Sequence, residues 1–145
     1  MKKFLLFLLA TLMLVGGTLS LSACQDYSKY DNCPLDVSAE MLSSESISIS
    51  LTVYNISGKD IESVDLLIVF NKAGETGKFV SYKTTFQNLL QNGGNAKMIT
   101  PPSNIDNVGT VYVTYAKYTD GTSWGFKNPS EKNVIKSAPG FRISS

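Results

Sequence analysis

From Ser46 to Val53 the chain alternates hydroxyl and apolar residues without a break, Ser46-Ile47-Ser48-Ile49-Ser50-Leu51-Thr52-Val53. Successive strand side chains point to opposite faces, so Ile47, Ile49, Leu51 and Val53 line one face and the hydroxyls the other. A helix would scatter both sets around its circumference, so this segment is a strand with one dry face and one wet face. A second run, Val64-Asp65-Leu66-Leu67-Ile68-Val69-Phe70, is apolar on both parities beyond Asp65. That pattern predicts a central strand covered on both sides.

The intervening residues punctuate the chain as an all-β domain requires. Asn55-Ile56-Ser57-Gly58-Lys59-Asp60 and Asn71-Lys72-Ala73-Gly74-Glu75-Thr76-Gly77 are turn-rich, and Lys78 to Lys83 can form a third strand. Tyr82, Phe86, Leu89 and Leu90 have helical spacing, while Thr84-Thr85 favours extended backbone, so helix and strand both stay open there. Gly93-Gly94-Asn95 is a turn, Lys97 to Thr100 a short strand, and Pro101-Pro102 begins a loop running to Asn107. Val111 to Thr119 reads as a long strand, and Asp120-Gly121 predicts a two-residue type I′ hairpin returning through Thr122 to Phe126. Six or seven short strands and no convincing helix point to an antiparallel β-sandwich over residues 35–145.

The first 23 residues read as an address. Lys2 and Lys3 precede an uncharged apolar run from Phe4, interrupted by Gly16-Gly17 and ending in small residues before Cys24, which is the layout of a secretory signal. Phe4 to Ala23 is also long enough to span a bilayer uncleaved, but the paired glycines and the Ser-Ala-Cys ending favour cleavage. Leu21-Ser22-Ala23-Cys24 resembles the lipobox of bacterial lipoproteins. That resemblance implies cleavage between Ala23 and Cys24, a diacylglyceryl group on the Cys24 sulfur, and export to the extracytoplasmic side of a membrane. Its lipid would be the first partner of the chain, and two acyl chains suffice for stable anchoring. Residues 24–34 then form the lipidated N-terminus and a polar linker, whose ten residues from Gln25 to Pro34 extend at most about 33–36 Å and lift the domain off the bilayer.

The stretch Leu51-Thr52-Val53-Tyr54-Asn55-Ile56-Ser57-Gly58-Lys59-Asp60-Ile61, followed by Val64 to Phe70 and Gly74, resembles the FxLYD-type immunoglobulin-like domains of bacterial envelope lipoproteins. Asn71 stands where that family has Asp, and Leu90-Gln91-Asn92-Gly93 lacks the proline of its Leu-x-Pro-Gly turn. Tyr115 to Trp124 is similar to the Tyr-x-Asp-Gly-Thr-x-Trp ending of related clostridial exported domains. The resemblance implies an immunoglobulin-like sandwich and no catalytic residues.

Composition narrows the chemistry. The 145-residue chain has no histidine, which removes Ser-His and Cys-His catalytic pairs, His-bearing zinc sites and an imidazole base. A net charge of +1, or −1 once Lys2 and Lys3 leave with the leader, gives no basic footprint for nucleic acid. With Cys24 in a thioether, Cys33 is the only thiol, and Asp31 and Asp36 nearby disfavour its thiolate. Asp106, Asp120 and Glu131 are too scattered for a calcium loop, no phosphate loop or paired-acid site is evident, and no metal or cofactor is implied. Lys127 to Lys136 reads as a solvated segment, and the Asn55-Ile56-Ser57 sequon as turn chemistry.

The candidate binding face is aromatic: Tyr112, Tyr118, Trp124 and Phe126. Strand parity places Tyr112 and Tyr118 with Thr114 and Ala116, and Tyr115 with the core-facing Val111 and Val113. For Trp124, core packing or cross-strand pairing is the first expectation and an exposed face the second. The functional expectation is a non-catalytic binding or structural module at the cell envelope. Its alternatives are a cell-wall glycan or peptide binder using the face around Trp124, and a subunit of a membrane-associated assembly contacting an envelope protein through Cys33 or its strand edges. A small Ser-Lys or acid-pair hydrolase has no positive signal.

Overall fold

The alternating and doubly apolar runs become neighbouring layers of an antiparallel sandwich in a computed structural model that describes residues 27–43 and 47–145. The leader and Cys24 lie outside the described residues. Among those described, the order is a 3-10 turn (Tyr27–Tyr30), β1 (Leu35–Ser43), β2 (Ile47–Asn55), β3 (Ile61–Lys72), β4 (Phe79–Leu89), β5 (Gly94–Ile99), β6 (Ile105–Tyr118), β7 (Ser123–Gly125), α1 (Glu131–Ser137) and β8 (Gly140–Arg142). One sheet runs β1-β2-β5 and the other β4-β3-β6-β7, with β8 also pairing β6. In this order β1, β2 and β5 stand where strands A, B and E of an immunoglobulin-like sandwich stand, and β3, β6 and β7 where C, F and G stand.

The dry faces meet as expected. Ile49, Leu51 and Val53 of β2 oppose Val64, Leu66, Ile68 and Phe70 of β3, closed by Leu35 and Val37 from β1, Phe86 from β4 and Val111 and Val113 from β6. Ile47, at the start of its strand, is instead exposed. Strand β3 is covered on both faces, as its composition predicts: Leu67 and Val69 point away from the sandwich core into a second cluster with Val134 of α1.

Here the structure departs from the expected absence of a helix. The segment 127–136 is not simply solvated: Ser130 caps α1 by accepting from Asn133 N, and the helix presses the fully buried Val134 onto the outer face of β3. A seven-residue helix is too short to hold itself, so this apolar contact is what folds it.

Other differences have equally local causes. Strand β1, an addition to the strands expected, carries Leu35, Val37, Ala39 and Met41 in strict alternation with Asp36, Ser38 and Glu40. The ambiguous Tyr82 to Leu89 stretch is extended, because β4 pairs β3 along its length from Phe79 to Leu89. The Asp120-Gly121 turn is not type I′. Only Gly121 has positive φ, Gly121 N donates to Tyr118 O at 3.1 Å and Tyr118 N to Thr122 O at 2.9 Å, giving a three-residue loop with glycine in the left-handed position.

The C-terminus joins the two sheets. Ile143 N donates to Gly109 O of β6, and Ser144 then exchanges backbone bonds with Ala39 and Met41 of β1. The starts of β1, β3 and β5 and the ends of β2, β4 and β6 gather at one end of the sandwich, called here the tether end because residues 27–34 arrive there.

Candidate functional site

The candidate aromatic residues are split by a single bulge. Tyr115 lies opposite Asp65 and Val113 opposite Leu66, so Thr114 is the extra residue of β6. Parity inverts across it. Val111 and Val113 on one side and Ala116 and Tyr118 on the other all contact the sandwich core, whereas Tyr112 turns outward to the α1 cluster. Tyr112 and Tyr118 therefore do not share a face, and Tyr115 is half-buried rather than in the core, against expectation.

Thr114 is used where it bulges. Its Oγ1 donates to Asp65 O at 3.1 Å, and its carbonyl accepts from Phe126 N at 2.9 Å. Gly125 crosses directly over that carbonyl with φ +77°, and a Cβ there would sit 2.3 Å from the oxygen. Only glycine fits, and this crossing sets Trp124 and Phe126 side by side on the β7 edge.

The polar segment expected to be an extended spacer covers them. From Tyr27 it is folded onto the domain: Tyr30 is 7% exposed and meets the ring edges of Trp124 at 5.5 Å and Phe126 at 5.1 Å between centroids. Trp124 Nε1 donates to Asp31 O at 2.7 Å, and Lys29 Nζ lies 5.1 Å from the centre of the Phe126 ring. Trp124 is thus partly buried against the core by its own N-terminal segment. The phenol of Tyr30 has no hydrogen-bond partner among the described residues, and burial pushes its pKa up. Tyr30 was invisible to the sequence reading because its neighbours are polar; the aromatic pair Tyr27 and Tyr30 just before Pro34 was the available signal.

Below this aromatic group the tether end is closed by Asn55, which is 1% exposed. Its Nδ2 donates to Lys59 O at 2.7 Å, Leu89 O at 3.0 Å and Leu90 O at 3.2 Å, and its Oδ1 accepts from Ser57 N and Ser57 Oγ. One side chain therefore ties the β2–β3 turn to the end of β4. The sequon asparagine has no free amide to offer.

Next to it, Lys59 Nζ bonds Asp120 Oδ2 at 3.0 Å and lies 5.1 Å from the Tyr118 ring centre. Asp120 also accepts from Thr122 Oγ1 and Thr122 N, and these bonds, led by Thr122, hold its carboxyl down at about 2. Cys33, the free thiol among the described residues, is half-buried and donates to Leu35 O at 3.4 Å. Burial, helped by Asp36, pushes that thiol up, which makes it a poor nucleophile.

A second concavity lies on the opposite side of the sheet, between β3–β4 and the lead-in to α1. It holds about 170 Å³ and is lined by Asp65, Lys83, Thr84, Thr114, Pro129 and Val134. That is smaller than the roughly 300–1,000 Å³ of ordinary small-molecule sites. Its carboxylate, Asp65, already accepts from Thr85 Oγ1 at 2.9 Å. Among the described residues no three His, Cys, Asp or Glu side chains converge to hold a metal, and no helix is long and apolar enough to cross a membrane.

No protein-family model, curated protein or solved structure matches the chain.

Proposed function

We propose that this chain is an exported lipoprotein, anchored to a membrane through Cys24, whose FxLYD-type immunoglobulin-like sandwich works at the cell envelope by binding or structural support rather than by catalysis. The observation that carries this reading is one of position: Leu21-Ser22-Ala23-Cys24 precedes every strand of the sandwich, the first of which, β1, begins at Leu35. A cleavage-and-lipidation motif placed there leaves every described strand on the mature side.

The non-catalytic half rests on how the reactive groups are used. Histidine is absent, the Cys33 thiol is raised, and the strongly acidic Asp120 is committed to Thr122 and Lys59. The FxLYD-type assignment is supported by Asn55, because the strand-ending asparagine and Gly-Lys turn that carry the resemblance are what close the tether end. Residues 28–34 occupy the Trp124 and Phe126 edge, which favours a structural part for these two rings over a glycan-stacking one.

Palmitate labelling tests the anchor. Label should enter the wild-type chain in bacterial cells and vanish in Cys24→Ser; label retained by that variant refutes the assignment.

A further inference from the structure

We infer that, given the lipid anchor proposed above, the β7 edge of the sandwich is the face held against the bilayer, and that the short span from Cys24 to Tyr27 holds it there. Cys24 and Tyr27 are three residues apart, a span of at most about 10–11 Å. From Tyr27 onward the chain has no slack. Asp31 N closes the 3-10 turn on Ser28 O at 3.0 Å, Trp124 Nε1 grips Asp31 O, Tyr30 is buried against Trp124 and Phe126, and Ile56 N holds Pro34 O at 2.9 Å. The reach of about 33–36 Å available to an extended 25–34 segment falls to roughly a third.

A lipid on Cys24 therefore brings the docked turn, and the edge beneath it, to the head-group layer. The chemistry of that edge suits a lipid surface. Lys29 is exposed with its Nζ 5.1 Å from the centre of the half-buried Phe126 ring, and Lys127 is exposed at the next position in the chain, with Asp31 exposed in the docked segment and Asp120 in the loop leading into β7. Aromatic rings flanked by lysines are the groups that settle at a membrane–water interface.

Trp124 is the only tryptophan, which makes the test direct. The full lipidated protein would be placed in phosphatidylcholine vesicles carrying a dansyl head-group lipid, and energy transfer from Trp124 measured. Strong transfer is expected, falling about twofold or more when a flexible ten-residue Gly-Ser insert is placed between Gln25 and Asp26, ahead of the docked residues 28–34 in the chain. Tyr30→Ala should lower transfer in the same direction by freeing the docked segment; the insertion variant decides the matter if that variant does not fold. Weak transfer in the wild type, or transfer indifferent to the insertion, overturns the inference while palmitate labelling still supports the anchor. Loss of the premise reads differently: wild-type chain without label and without vesicle association overturns both.

Discussion

The two ends of the sandwich are built from different physics. At the tether end a buried asparagine satisfies three carbonyls, Asp60 Oδ1 accepts from Gln91 N at 2.8 Å, and Pro34 O accepts from Ile56 N. At the distal end the β3–β4 loop is held by exposed ion pairs, Glu75 to Lys72 at 2.6 Å and to Lys78 at 2.7 Å, with backbone turns from Lys72 to Lys78. Buried hydrogen bonds are costly to leave half-made, whereas exposed pairs are screened and cost little to lose. One end is thus specified and the other merely tolerated, and the specified end is the one that receives the N-terminal segment.

The largest effect expected on this contrast is at Asn55. Asn55→Ala strands several buried backbone acceptors and should remove about 3–5 kcal/mol of stability in urea unfolding. Asn55→Asp sharpens the point by facing the same carbonyls with a carboxylate, so it should be worse at neutral pH than in mild acid, where the group is protonated.

Gly125→Ala ranks next. Its methyl must displace the Thr114 carbonyl, and a loss on the order of 3 kcal/mol is expected, together with a red shift of Trp124 emission as β7 detaches.

Tyr30 separates packing from polarity at one position. Tyr30→Ala should cost about 2 kcal/mol and expose Trp124 to acrylamide, whereas Tyr30→Phe removes a buried hydroxyl with no partner among the described residues and should be neutral or stabilising by up to about 1 kcal/mol. A destabilised Tyr30→Phe would mean that the hydroxyl has a partner.

The acid limb distinguishes the ends more finely. Asp120 is depressed in the folded state, so its contribution is complete above the ordinary carboxylate range near pH 4 and is lost as pH falls through about 2. Carboxyl-carbon NMR should show this titration, with Thr122→Val raising it back toward the ordinary value. Smallest of all is Glu75→Gln at the distal end, for which an unfolding midpoint within error of wild type is expected, although Lys72 and Lys78 hold that carboxyl below its usual range.

How much of this was legible depended on whether the signal was local. Ile49, Leu51 and Val53 declare their shared face through neighbours two residues away, and β3 declares its double burial through an unbroken apolar run. Tyr112 and Tyr118 were misplaced because parity counting assumes a regular strand, and nothing in the residues around Thr114 announces a bulge. Val134 was lost among lysines and asparagines, since one buried side chain in a seven-residue helix makes no periodic pattern. The polar residues 25–34 looked extended because the groups that hold Tyr30 and Asp31 lie some ninety residues later.

The sequence by itself therefore determined the strands β2 and β3 and the dry faces they bring together, the turn-rich breaks after them, the absence of imidazole chemistry and the lipobox-like motif at Leu21 to Cys24. Each follows from the order of neighbouring residues. Only the tertiary structure decided which residue of β6 bulges, what covers the outer face of β3, and that Tyr30 closes over Trp124 and Phe126. Those outcomes depend on contacts between residues far apart in the chain, where the free energy of closing a long loop is set against burial that only the assembled sheets can supply.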